Sequence, residues 1–186
     1  MEKIIATIFL IVLFIFPSAV NATNEAGASA SLSTQMHETS ITQYVDQSIQ
    51  RMVISEVMEK YNAPLASEVD GFINACTTYH IDCYLLPSIA GLESSFGKYT
   101  YPGSHNPFGW GGGHIMFDTW EDGFMTVAQG LRENYIENGA TTIESIGPIY
   151  AASPTWVERV AFFHNEFERV EAEKSLYFRE IALATQ

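Results

Sequence analysis

From Tyr99 to Phe117 the chain carries five glycines, two prolines and five aromatic residues, and a segment so composed cannot hold a stable helix. It stands between segments whose apolar residues recur at helical spacing. A fold for this chain must therefore seat a small glycine- and aromatic-rich lobe inside a helical domain. The lobe reads as a loop with a short hairpin, returning along His114-Ile115-Met116-Phe117.

Before the lobe, Tyr44, Ile49, Met52, Val53, Val57 and Tyr61 predict a helix that starts near Ile41 and stops at Asn62-Ala63-Pro64. A second helix fits Ser67 to Tyr79, with Ser67 as N-cap and Val69, Phe72, Ile73 and Cys76 facing inward. A third, apolar helix runs from about Tyr84 to Ser94 and stops near Gly97. After the lobe, Thr119-Trp120-Glu121-Asp122 resembles a capping box and opens a helix through Phe124, Val127, Leu131 and Tyr135. A short helix follows Thr142, and Ser153-Pro154 opens the last one, carrying Trp156, Val160, Phe163, Phe167 and Val170. The expected class is mostly α with a small β component (α+β).

The N-terminus follows a different rule. Lys3 precedes an apolar run from Ile4 to Phe16, shorter than the ~20 residues a spanning helix needs. Small residues at Val20 and Ala22 complete the pattern of a signal peptide, residues 1–22. Residues 23–40, rich in Ala, Ser and Thr, read as a flexible linker, and residues 41–186 as one domain. The chain is therefore expected to be secreted, periplasmic or associated with the cell wall, with no membrane contact after cleavage. Net charge is −13, which argues against a nucleic-acid partner, where Lys and Arg must neutralise phosphates. An uncharged polymer fits such a surface.

The two cysteines, Cys76 and Cys83, allow one pairing in an oxidising compartment. A disulfide and two buried thiols are both compatible with the spacing; the disulfide is the expectation. No metal or cofactor is expected. His105 and His114 flank the glycine run with only Asp118 near them in sequence, and solvated or stacking histidines are the simpler account.

Glu93 is the residue out of place. Leu86, Ile89, Ala90 and Glu93 fall at i, i+3, i+4 and i+7, so a carboxyl shares the apolar face of the third helix. It also sits in the last turn, where the helix dipole disfavours an anion. Burial and the dipole together predict a raised pKa, suited to a general acid that protonates a glycosidic oxygen. The simpler alternative is a glutamate turned to solvent or paired with Lys98. Just beyond it, Asn106, Phe108 and Trp110 lie among glycines that let backbone approach a ligand. Aromatic faces stack on sugars and amides bond their N-acetyl groups, so the outline is that of a saccharide cleft.

The segment from Leu85 to Gly97, containing Gly91-Leu92-Glu93-Ser94-Ser95-Phe96-Gly97, resembles the catalytic-helix motif of the lysozyme-like superfamily. That superfamily includes the lytic transglycosylases and the bacterial endo-β-N-acetylglucosaminidases. Asn106-Pro107-Phe108-Gly109-Trp110-Gly111 resembles the Asn-x-Phe-Gly stretch of the glucosaminidases, Phe117–Phe124 their next helix start, and Tyr150–Trp156 their later Tyr-Ala segment. The likeness spans roughly residues 63–167, with four motifs in order. It implies a lysozyme-like fold and an enzyme that cuts β-1,4 bonds in peptidoglycan or a related amino-sugar polymer, acting as a monomer. It further implies that Glu93 is the general acid and Tyr150 lines the catalytic site. Ser94, Asn106, Phe108, Gly109 and Trp110 would belong to the glycan cleft.

A second carboxylate is harder to place. Residues 98–117 contain no acid, and Asp118, Glu121 and Asp122 read most simply as helix N-terminal acids. Without one, the chemistry is that of a lytic transglycosylase, in which one glutamate serves as acid and then base while the sugar's 6-hydroxyl closes a 1,6-anhydro ring. Rival readings are a chitin-type substrate, a catalytically silent glycan-binding module, and a helical structural protein. Ser94 and Ser95 lie at no recognisable nucleophile elbow.

Overall fold

A computed structural model describes the backbone of residues 23–185, with side chains from residue 40 onward apart from residue 182. The expected signal peptide, residues 1–22, lies outside the described residues. Among the described residues six α-helices carry the fold: α1 (Thr23–Lys60), α2 (Val69–Tyr79), α3 (Leu85–Ser94), α4 (Trp120–Asn134), α5 (Ile143–Tyr150) and α6 (Trp156–Ala184). Short 3₁₀ turns at Pro64–Glu68, Trp110–Gly113 and Ile136–Asn138 complete the list. The protein is mostly helical, and no strand occurs among the described residues. No described helix is long and apolar enough to cross a membrane.

Three local expectations are corrected. Residues 23–40 are the first half of α1 rather than an irregular linker; their alanines, glutamates, glutamine and methionine are good helix formers, and no proline interrupts them. Ser67 does not cap α2, because Pro64 starts a 3₁₀ turn in which the Ser67 hydroxyl donates to the Pro64 carbonyl. The lobe contains no hairpin. Gly109, Gly111, Gly112 and Gly113 all adopt positive φ, which coils the chain into a 3₁₀ turn instead of extending it for strand pairing.

The chain divides into a unit ending at Ile41 and a second unit from Thr42 onward, which holds the core. Within the second unit, α2 packs on α4 through Phe72 and Phe124, whose rings stack at 4.0 Å. The close approach uses Gly71, where a β-carbon would meet Phe124 at 3.0 Å. α3 packs on α6, with Gly91 facing Phe96 and Phe163. Tyr84 stacks on Phe167 at 5.5 Å. α3 is buried along nearly its whole length, from Leu85 to Gly91, so it forms the central rod of the domain.

Cys76 and Cys83 form a disulfide across the turn between α2 and α3, with Cα atoms 5.0 Å apart. Beside it, Asp82 accepts from the Tyr84 backbone N–H at 2.7 Å and pairs with His164 of α6 at 3.2 Å. The capping box at the start of α4 is formed: the Asp122 N–H donates to the Thr119 hydroxyl, while the Thr119 N–H donates to the Asp122 carboxylate, each at 3.1 Å. Thr142 and Ser145 form the equivalent box at α5.

Candidate active site

The helix that carries Glu93 ends abruptly. Ser95, Phe96 and Gly97 all take left-handed φ, and the Phe96 N–H returns to the Ala90 carbonyl at 2.9 Å. This reversal drives the Phe96 ring into the core and lets the last turn of α3 emerge at the surface. Glu93 emerges with it. The expected burial of this carboxyl is therefore corrected: Leu86, Ile89 and Ala90 on its face are buried, but Glu93 one turn later is exposed. It is not paired with Lys98, whose ammonium donates to the Tyr61 carbonyl at 2.5 Å. Its partner is Trp156, whose indole N–H donates to Glu93 Oε1 at 2.9 Å.

The other oxygen, Oε2, faces Gly109. A β-carbon at residue 109 would stand 3.2 Å from it, and Gly109 adopts φ +63°. Only a glycine both fits that backbone and leaves the carboxyl uncovered. Gly109 opens a cleft of about 320 Å³ lined by Gly109, Trp110, Gly111, Gly112, Tyr135 and Tyr150. Trp110 and Tyr150 lie with ring centroids 5.8 Å apart, and Tyr135 completes the cluster at 6.2 Å from Tyr150. Trp110 reaches this position because α4 carries Gly130 beneath it, where a β-carbon would meet the indole at 2.6 Å.

Tyr150 joins the acid to the cleft. Its hydroxyl donates to the Phe108 carbonyl at 2.7 Å, and its ring stacks on Trp156 at 4.9 Å. Burial, then the Glu93 carboxylate, then Tyr135, push the Tyr150 phenol well above its usual range, so it remains a hydrogen-bond donor. Burial likewise raises Tyr135.

Three of the expected cleft residues act beneath the surface. The Phe108 ring is fully buried, edge-on to Phe72 and Phe124, and only its carbonyl reaches the site. Asn106 is buried and its amide is spent within the lobe. Its nitrogen donates to the Trp110 and Ile115 carbonyls at 2.9 and 3.3 Å, and its oxygen accepts from the Trp110 N–H at 3.1 Å. Ser94 is also buried, donating to the Ala90 and Pro107 carbonyls and accepting from the Gly97 N–H. Ser94 ties the lobe to α3, Phe108 seats it on α2 and α4, and Asn106 holds its coil together, which leaves Gly109 beside Glu93. Each was expected from its motif, but a short amide or hydroxyl beside a coil of glycines finds backbone groups to satisfy before it finds a ligand.

Two site residues were not singled out as such in the sequence. Tyr135 reads as one more inward position of α4, and Trp156 as the first apolar residue of α6. The only signal for Trp156 was its place in the Tyr150–Trp156 segment.

Two of the acids that follow the lobe, Glu121 and Asp122, are engaged away from the site. Asp122 closes the α4 capping box, and Glu121 accepts from the Asn74 amide at 2.7 Å. No group of three or more potential metal ligands occurs among the described residues. His105 bonds the Phe117 carbonyl and packs edge-on to Trp120, while His114 lies against Tyr101. A larger polar groove of about 580 Å³ lies among α1, α2 and α4, but its Arg51 and Asp70 pair at 2.7 Å and its Asn74 and Glu121 satisfy each other. Chemically, the arrangement is one carboxyl with one oxygen fixed and one open, at the edge of an aromatic cleft with a glycine floor and no charged lining. No family model matches this chain, and a comparison with curated proteins finds no significant match.

Proposed function

We propose that this protein is an exported cell-wall glycan-cleaving enzyme of lysozyme-like fold, with Glu93 as its general acid. The observation that carries the reading is the environment of that carboxyl. Glu93 ends an otherwise buried apolar helix and is held by Trp156 beside a cleft of about 320 Å³ with an aromatic wall and a glycine floor. A cleft without charged lining suits an uncharged sugar strand, stacked on Trp110 and Tyr135. The order of the four resembling motifs, Glu93, Asn106–Gly111, Phe117–Phe124 and Tyr150–Trp156, supports the same assignment.

The geometry favours the single-carboxylate route. Glu93 is the carboxylate that acts on Tyr150, and the acids of the α4 N-terminus are engaged elsewhere. Glu93 would protonate the glycosidic oxygen as its bond to the anomeric carbon breaks. The resulting carboxylate would then take the proton of the sugar's 6-hydroxyl as that oxygen closes on the anomeric carbon. Peptidoglycan, whose strand is built of β-1,4-linked amino sugars, is the proposed substrate, and residues 1–22 the proposed export signal.

The test is digestion of purified peptidoglycan by the mature protein, with the fragments weighed by mass spectrometry. Fragments with 1,6-anhydro ends support the single-carboxylate route, and fragments with reducing ends point instead to hydrolysis with a second acid. Binding to peptidoglycan with no fragments at all would identify a glycan-binding module and overturn the enzymatic reading.

A further inference from the structure

We infer that Trp156 is a positioning residue for Glu93, its indole N–H fixing Oε1 so that Oε2 is the oxygen that delivers the proton. This rests on the glycan-cleaving reading above and assigns a role to a residue outside the cleft.

Trp156 cannot turn away from Glu93. It is 2% exposed, stacks on Tyr150 with the rings 29° from parallel, and lies over Gly147, where a β-carbon would meet its Cε3 at 3.1 Å. It is also the first residue of α6, so the backbone fixes its Cα. A buried indole N–H needs an acceptor, and among the described contacts Glu93 Oε1 supplies it at 2.9 Å. Without that bond, an exposed glutamate on a final helical turn would sample several rotamers, most pointing away from the cleft.

The bond also distinguishes the two oxygens. An indole N–H donates and cannot accept. In a protonated carboxyl the carbonyl oxygen is the better acceptor, so Trp156 marks Oε1 as the carbonyl and leaves the hydroxyl on Oε2. Oε2 is the oxygen beside Gly109, where no side chain intervenes before the cleft. As the glycosidic C–O bond breaks, the proton passes from Oε2 to the leaving oxygen, and Trp156 still holds Oε1 of the carboxylate that remains. Oε2 is then aligned to recover a proton from the 6-hydroxyl.

The experiment compares the wild-type protein with Trp156→Phe on two substrates. One is peptidoglycan glycan, whose leaving oxygen must be protonated. The other is an aryl glycoside of the same amino-sugar chain with a dinitrophenolate leaving group, which departs without a proton. A misplaced Glu93 is expected to lower kcat on the glycan by about 100-fold with KM little changed; on the aryl substrate only the later proton transfer from the 6-hydroxyl calls on Glu93, so its loss is expected to be at least about tenfold smaller. Equal losses on both substrates, or no loss on the glycan, overturn the positioning role. A wild-type protein inactive on both removes the glycan-cleaving reading itself, and this inference with it. If the phenylalanine variant does not fold, a tryptophan analogue with sulfur in place of the indole N–H, placed at residue 156, preserves the packing and gives the same comparison.

Discussion

The Tyr150 hydroxyl donates to the Phe108 carbonyl at 2.7 Å and so joins the end of α5 to the lobe that follows α3, across 42 positions of sequence. Gly109 and Trp110 come directly after that carbonyl, so the bond sets the height of the cleft floor relative to its aromatic wall. Tyr150→Phe keeps the ring and its stacking on Trp156 but orphans a part-buried carbonyl. The expected loss is about 1–3 kcal/mol of folding stability, read as a lower urea midpoint with unchanged slope. Cleavage should fall as well, because the floor is no longer tied to the wall. An unchanged midpoint would show that the bond contributes nothing.

Gly109→Ala probes access to Glu93 rather than stability. A β-carbon there stands 3.2 Å from Oε2, and the φ of +63° is strained for any residue with a side chain. The strain amounts to roughly 1–2 kcal/mol, which leaves a folded protein. Glycan cleavage is expected to drop by far more than that loss of stability explains, and KM to rise, because the substituent stands between the acid and the strand. Circular dichroism on the same sample separates the two effects; wild-type kinetics would remove Gly109 from the site.

The His164–Asp82 pair predicts a pH dependence of stability. The hydrogen bond to Asp82 raises the His164 pKa above its ordinary 6.5, burial opposes this, and Asp82, Glu168 and Glu144 add to the rise. A histidine bound more tightly as the cation in the folded state stabilises fully below pH 6.5, and this contribution is lost as pH climbs through the raised value. For Asp82, burial would raise the pKa, but the His164 and backbone hydrogen bonds outweigh it and the net shift is downward. Its contribution is therefore present above the ordinary 3.8 and fades as pH falls through the lowered value. Chemical denaturation of the wild type and His164→Gln from pH 5 to 9 should converge at the alkaline end and diverge at pH 5–6. A constant gap across the range would contradict the pairing.

The Cys76–Cys83 bond closes a loop with a sequence separation of only 7, so its chain-entropy contribution is about 2 kcal/mol. Reduction is expected to lower the unfolding free energy by about 2 kcal/mol, read as a lower urea midpoint, without unfolding the domain at room temperature. Asp82 sits inside the loop, so reduction should also weaken its pairing with His164 and flatten the pH dependence described above.

Helix positions were legible in the sequence because their signals are local. The capping box at Thr119, the helix start after Thr142 and the stop after Ser94 need only neighbours within four residues. Glu93 was legible as an anomaly on an apolar face, but its exposure was not. That depends on the left-handed turn at Ser95 and Phe96, two non-glycine residues that give no strong warning of positive φ. The short apolar run Ile115–Phe117 after the glycines suits a returning strand, but Asn106 turns its amide inward and bonds both sides of a coil instead. Phe108 and Trp110 share one motif and differ only in which direction the core lies, which spacing along the chain does not encode. Trp156 lies 63 residues from Glu93, and no local pattern announces a bond across that distance.

The central claim is that Glu93 performs the chemistry, and Glu93→Gln tests it most directly. Glutamine keeps the side chain's size and an oxygen to accept the Trp156 N–H, so the fold and the cleft should persist, but its amide has no acidic proton to deliver. Purified mature protein is expected to release fragments from peptidoglycan, and the glutamine variant to do so at least about 100-fold more slowly while still binding it. Equal rates of release by the two proteins, or no release by either, would contradict the account.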